Sequence, residues 1–335
     1  MDRLRIGIIG AGAIAASHLP QLLRRPQDVQ IIAAADVNPV TPCVEKFSIP
    51  RLVADYREML DDVDAVLICT PTHLHADMAI AAMRAGKAVF CEKPLARTLA
   101  QADAILAAQR ETGRALQVGF VRRFDAEWLA WRSAVMDKAI GSPVVWRDIA
   151  ASSGPAGRWF FEDAQGGGPF LDGCIHSLDF GLYTFGPIAS IFCHGHTMKA
   201  GASAIDTGSA TVRFASGDEL LLAWSWGLPA GCRGTRVFEI LGPGGLISWP
   251  NDEPKDAKER RFTITTGPDH QRHATFPYDA LTPAYDRQMD EFIDVARGQK
   301  TPRAGGVEGR EALRAALAIL ESACSGEVVT LKTRG

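Results

Sequence analysis

Residues 4–36 carry the pattern that most restricts the fold. The apolar run LRIGII ends in GAGAIA, a helical stretch follows near 13–25, and a second apolar run, VQIIAAAD, ends in an aspartate. A strand that turns on glycines straight into a helix brings backbone N–H groups to a helix N-terminus, where a pyrophosphate is readily bound. Gly10, Gly12 and Ala15 hold the required spacing, with Ala13 and Ile14 inside it. Asp36 ends the second strand, where a carboxylate accepts hydrogen bonds from an adenosine ribose. Together these features point to a dinucleotide, with Gly10, Gly12, Ala13, Ile14 and Asp36 as cofactor-binding candidates. A carboxylate repels a ribose 2′-phosphate, and Val37 and Asn38 rather than an arginine follow it. NAD is therefore favoured over NADP. If the glycines served helix–strand packing alone, Asp36 would be an ordinary strand-end residue.

The alternation continues to about residue 120. DAVLICT, KAVFCEKP and ALQVGF read as further strands, separated by helices near 56–61, 73–85 and 98–111. Asp55 and Glu58 in DYRE have the spacing of a capping box. Continuous apolar strands separated by helices imply a doubly wound parallel sheet, and ligands of such sheets lie beyond the carboxyl ends of the strands. Thr70, Pro71 and His75 in CTPTHLH, and Glu92 and Lys93 in CEKP, fall on that rim with Gly10 and Asp36 and join the cofactor candidates. For His73 and His75 a solvated turn is an equally good reading.

After residue 121 the rhythm changes. A helix near 125–138 and a strand at 143–151 lead into a loop rich in glycine, serine and aromatic residues. The runs ASIFCHGHTM, GSATVRFA, ELLLAWSW, TRVFEILG and RFTITT follow without intervening helices, so antiparallel pairing is expected. Residues 251–260 read as a polar loop, and helical patterns at 281–297 and 307–325 close the chain. The expected architecture is an α/β Rossmann domain, 1–121, plus an α+β domain, 122–335, with an open, mainly antiparallel sheet. The C-terminal helix is expected to pack back on the first domain.

The balance of 36 Lys and Arg against 39 Asp and Glu leaves a formal charge of −3, without long runs of one sign. That excludes the electrostatic footprint of a nucleic-acid or anionic-membrane binder. No stretch has the length and apolarity of a membrane span, and MDRLRIGIIG lacks the pattern of a signal peptide. The seven cysteines form no CxxC pair, which suits reduced thiols in a cytoplasmic protein and points to no metal site.

The stretch GGGPFLDGCIHSLDF, 166–180, places Asp172, His176 and Asp179 in what otherwise reads as a buried helix between Pro169 and Gly186. At about 100° per residue these three and Tyr183 share one stripe. With GAGAIA, TPTHLH, CEKP and VGFVRRF (118–124), this stretch makes nearly the whole chain resemble the Gfo/Idh/MocA oxidoreductases, which include glucose-fructose oxidoreductase and inositol dehydrogenases. The resemblance implies a Rossmann domain followed by an open sheet used in oligomerisation, here a homodimer or homotetramer. It also implies that Lys93 is the catalytic lysine of the EKP motif and that Asp172 and His176 complete the catalytic group. Thr72 stands where many relatives carry Asn.

Oxidising a secondary alcohol with NAD requires a base for the hydroxyl proton and a donor for the developing alkoxide. His176 suits the first task, because imidazole titrates near neutral pH. Lys93 suits the second, and Asp172 can orient His176 or bind substrate. Asp172, His176, Arg122, Arg123, Arg158 and Trp159 are the substrate-binding candidates, for a cyclic polyol, sugar or related hydroxy compound. For the two arginines, holding a structural carboxylate is an equal alternative; for Arg158 and Trp159, an apolar plug under the loop is another. Trp224 and Trp226, two apart on a strand, are expected to share a face of the core or of a subunit interface. A glycosidase using transient oxidation and a non-catalytic NAD-binding regulator remain open as other classes. The complete Lys93, Asp172, His176 set weighs against the regulator.

Overall fold

A computed structural model describes residues 2–39, 41–250, 259–277 and 282–332. Their contacts divide into two compact units, Met1–Phe124 with Leu281–Glu311 and Asp125–Ala280 with Ala312–Gly335.

In the first unit, β1 (Leu4–Ile9), α1 (Ala15–Leu23), β2 (Val29–Ala35), α2 (Pro42–Lys46), β3 (Leu52–Val53), α3 (Arg57–Leu60), β4 (Ala65–Ile68), α4 (His75–Arg84), β5 (Ala88–Cys91), α5 (Leu99–Thr112) and β6 (Leu116–Val118) alternate along the chain. The strands form one sheet in the order β3-β2-β1-β4-β5-β6, and every pairing is parallel. This is the doubly wound order that reverses between β1 and β4. Ile6, Ile8, Leu67 and Phe90 pack on one face against Leu19 and Leu22 of α1 and against Met289, Phe292 and Ile293 of the later helix Thr282–Ala296. On the other face Gly7 abuts Met59 of α3, with 3.0 Å from an added Cβ to the methionine methyl.

Local caps differ in part from the sequence reading. Asp55 accepts from Arg57 N (2.9 Å) and Asp55 N donates to Glu58 Oε1 (3.4 Å), but α3 starts at Arg57 without a side-chain cap. A complete capping box joins Thr98 and Gln101 at the start of α5.

The second unit contains α6 (Ala126–Met136), β7 (Val145–Ala151), α7 (Gly168–Asp172), α8 (Ile175–Phe185), β8 (Ile188–His196), β9 (Thr207–Phe214), β10 (Glu219–Ser225), β11 (Thr235–Gly242), β12 (Gly245–Ser248), β13 (Glu259–Gly267) and β14 (His270–Pro277). The chain then returns to the first unit as α9 (Thr282–Ala296) and ends with α10 (Gly306–Ser325), within which the unit boundary falls, and β15 (Val329–Thr330). Nine strands form an open sheet, β14-β13-β12-β11-β7-β10-β9-β8-β15. The pairings are antiparallel except β7 with β10, which are parallel because α7, α8, β8 and β9 intervene and carry the chain across. Trp146 of β7 and Phe238 of β11 meet Trp128 and Trp131 of α6, and both tryptophans meet Phe180 of α8, at ring separations of 5.0–6.2 Å. This aromatic layer is the core that seats α8 on the sheet. Of the expected polar loop, 251–258 lies outside the described residues, and residues 259 and 260 already belong to β13.

Candidate active site

The glycine turn is shaped by steric necessity. Gly10 has φ +89°, and a Cβ there would lie 2.8 Å from the carbonyl carbon of Cys69, the residue after β4. No L side chain fits that crossing of β1 and β4. At Gly12 an added Cβ would meet nothing within 4 Å, so the turn opens in front of α1. An exposed glycine facing open space before a nine-residue helix is the cradle a pyrophosphate needs. Asp36 accepts from Ala11 N through Oδ2 (2.8 Å) and from Asn38 N through Oδ1 (2.9 Å). The carboxylate expected to face a ribose thus also braces the glycine turn.

The next two strand ends meet the same rim. Thr70 donates its hydroxyl to Met78 Sδ (3.4 Å), and Thr72 is buried behind it. His75 is 1% exposed and lies 2.8 Å from both the Thr70 and the Pro94 carbonyl oxygens, so it ties the TPTHLH turn to the EKP turn. Burial holds the His75 pKa below the usual histidine value, against the opposing pull of the two carbonyls. His75 therefore joins two parts of the rim, a role the turn sequence did not disclose. Lys93 itself is half-buried, and its peptide bond to Pro94 is cis.

Glu92 is 5% exposed. Its Oε1 is 2.7 Å from Nε2 of His18 in α1, and its Oε2 accepts the Lys93 backbone N–H at 3.1 Å. His18 is a residue the sequence reading passed over. Ala15, His18, Leu19 and Leu22 form the buried stripe of α1, so an ionisable group on an apolar stripe was the available signal.

Of the two arginines after β6, Arg123 is buried and donates to the Arg303 carbonyl oxygen, which engages it structurally. Arg122 is half-buried within the same unit, near Tyr285.

In the second unit Gly168 has φ +78°, and a Cβ there would sit 2.3 Å from the Ile205 carbonyl oxygen. Pro169 follows in the first turn of α7, and Gly186 ends α8. The expected single helix is two. Cys174 N donates to Pro169 O (2.7 Å), five residues back, widening the turn between Asp172 and His176. Trp224 of β10 packs against this turn, and a Cβ at Gly173 would lie 2.6 Å from its ring, so only glycine fits there. Asp172 and His176 are both half-buried, whereas Asp179 is buried. Tyr183 carries the Arg132 guanidinium 4.1 Å above its ring, which anchors α8 to α6. Beneath the helix Ser177 donates to the fully buried Asp148 of β7 at 2.5 Å. Burial, with Asp148 and Asp172 nearby, raises the Cys174 thiol pKa well above its ordinary value, consistent with a core thiol.

Arg158 is exposed and paired with Glu162 (3.0 Å), while Trp159 stacks on Phe160 at 3.7 Å. Phe160 and Phe161 each meet the edge of Trp226, so this loop rests on the end of β10. Trp224 and Trp226 lie on the same side as the buried Leu220 and Leu222. Gly10, Asp36, Thr70, His75, Glu92 and Lys93 thus come together on the rim of the first unit. Asp172, His176, Arg158 and Trp159 belong to the second.

A family model described as "Oxidoreductase family, NAD-binding Rossmann fold" matches residues 4–120, and the "GFO/IDH/MocA C-terminal domain" matches 128–248. Among curated proteins, myo-inositol 2-dehydrogenase of Thermotoga maritima is 30% identical over 92% of this chain and 93% of its own. The scyllo-inositol 2-dehydrogenase (NAD(+)) of Bacillus subtilis is 27% identical over 99% and 97%. Among solved structures, a putative myo-inositol dehydrogenase from Sinorhizobium meliloti superposes with a TM-score of 0.80 at 25% identity, covering 98% of this chain and all of that one.

Proposed function

The chain belongs to the Gfo/Idh/MocA family of NAD-binding oxidoreductases, which act on CH–OH groups, and from that premise we propose that it oxidises a secondary hydroxyl of an inositol or a related cyclic polyol or sugar. The observation that carries this reading is the likeness to inositol dehydrogenases over the full length of the chain, together with an intact Lys93, Asp172 and His176 set.

NAD, when bound, supplies the hydride acceptor. The open glycine turn, the first turn of α1 and Asp36 fit its pyrophosphate and adenosine ribose, and the strand-end residues Thr70, Pro71, His75 and Glu92 frame the rest of the rim. In the proposed chemistry His176 takes the hydroxyl proton as hydride leaves the carbinol carbon. Lys93 donates to the same oxygen and limits its negative charge in the transition state. Asp172 favours the imidazolium that results. In the reverse direction His176 returns the proton. Arg122, Arg123, Arg158 and Trp159 are assigned to the substrate side, although Arg123 and Arg158 already have structural partners.

The reading also assigns a homodimer or homotetramer through the C-terminal sheet and a cytoplasmic location. Its support is the sheet face opposite the aromatic core, where Ile149, Ala223 and Val237 line up across strands and are only half-buried. No described helix is long and apolar enough to cross a membrane.

The deciding experiment supplies a panel of inositols, aldoses and lactones with NAD and with NADP and follows NADH and NADPH absorbance. Reduction of NAD by a cyclic polyol or sugar is expected. Sugar release from a glycoside without net reduction, or no turnover with any member, would overturn it.

A further inference from the structure

We propose that His18 is a positioning residue for the reaction at Lys93, acting through Glu92. The inference rests on the dehydrogenase reading for the role of Lys93, and on the geometry of the first unit for everything else.

The chain of contacts is short. His18 Nε2 donates to Glu92 Oε1 at 2.7 Å, and Glu92 Oε2 accepts the backbone N–H of Lys93 at 3.1 Å. Both side chains are sealed from solvent, with His18 at 0% and Glu92 at 5% exposure. The imidazole is gripped by two ring edges, Phe90 of β5 at 5.0 Å and Tyr285 of α9 at 5.1 Å. The carboxylate occupies the space beside Gly119, where a Cβ would lie 2.8 Å from Glu92 Cδ and Oε2. The helix after β1, the turn after β5 and the turn after β6 thus meet at one buried carboxylate.

Fold stability alone does not account for such a pair. A buried carboxylate and imidazole cost desolvation energy that a well-packed apolar pair avoids. The pair spans from the helix behind the glycine turn to the residue beside Lys93. His75 holds the other side of the same turn through the Pro94 carbonyl oxygen. Glu92 and Pro94, the neighbours of Lys93, are therefore each held by a histidine. The other titratable groups near Glu92 are Tyr285, Cys69, Cys91, His75 and Lys93.

The test compares His18→Gln, which retains an amide donor, with His18→Leu, which removes it, and adds Glu92→Gln and the double variant His18→Leu/Glu92→Gln. Misplacing a reacting group by about 1 Å costs on the order of a hundredfold. His18→Leu is accordingly expected to lower kcat by about tenfold to a hundredfold with KM for NAD unchanged within about twofold, while His18→Gln recovers most of the rate. The double variant should lose no more than the worse single one, because both act on one path. A second readout needs no substrate: the rate at which Lys93 is reductively methylated, followed by peptide mass spectrometry, is expected to change in His18→Leu and not in His18→Gln. Should His18→Leu fail to fold, His18→Asn replaces it, since its shorter amide falls short of Oε1. Wild-type kcat and Lys93 labelling in the Leu or Asn variant, or additive losses in the double variant, would overturn the proposal. A wild-type protein that oxidises no alcohol would overturn the dehydrogenase reading instead, and the labelling would still decide the positioning.

Discussion

Ala11 N donates to Asp36 Oδ2 at 2.8 Å, so the carboxylate at the end of β2 fastens the turn at the end of β1. In the proposed reading the same side chain would also present a charge to the cofactor's ribose, beside the glycine turn that it braces.

Asp36→Ala is expected to weaken NAD binding by more than a lost ribose contact, because the Ala11 N–H loses its acceptor as well, at about 1–3 kcal/mol. The preference for NAD over NADP should relax. Asp36→Asn keeps an acceptor oxygen for Ala11 and should retain more of the stability than of the selectivity. Dissociation constants for both cofactors and a thermal melt separate the two effects. Tight NADP binding by the unmutated protein would contradict the assignment.

Lys93→Ala and His176→Ala should each reduce turnover by roughly 10²–10⁴-fold, the range of general acid–base contributions. NADH binding, read by fluorescence, should survive in both. Near-normal turnover in either variant would remove that residue from the catalytic group.

Gly168→Ala places a Cβ 2.3 Å from the Ile205 carbonyl oxygen at a φ of +78°. The strain is of order 1–3 kcal/mol and falls at the start of the helix that carries Asp172. A melting temperature lowered by several degrees is expected, together with a raised KM for the polyol. An unchanged melt would mean that the Gly167–Gly168 turn relaxes freely.

His75 should make folding stability dependent on pH. Its folded pKa lies below the ordinary 6.5 because it is buried, so the unfolded chain takes up a proton first as pH falls. The contribution is complete above about 6.5 and is lost as pH drops through the folded value. Urea titrations at several pH values, set beside those of His75→Gln, measure it. A difference between the two proteins that does not change from pH 7 to about 5 would show that His75 does not titrate in this way.

The sequence by itself determined the elements whose signals are local. The glycine turn, the parallel strands of the first sheet and the strand ends bearing Asp36, Thr70, Glu92 and Lys93 follow from periodicity and turn chemistry, which act within a few residues. The limits of the helical stretch around Asp172 and His176 were legible for the same reason, with Pro169 at its start and Gly186 at its end, but its division into α7 and α8 was not. Only the tertiary structure decided what those side chains touch. Trp224, more than 50 positions beyond Gly173, packs against the turn between α7 and α8, and Glu92 finds His18 at a separation of 74 residues. His75 bridges Thr70 and Pro94, and Asp148 receives Ser177, by meetings of the same kind. Periodicity assigns a residue to a face. The partner on that face depends on how distant segments close-pack around it, and a buried polar group is satisfied by whatever the packing brings within reach.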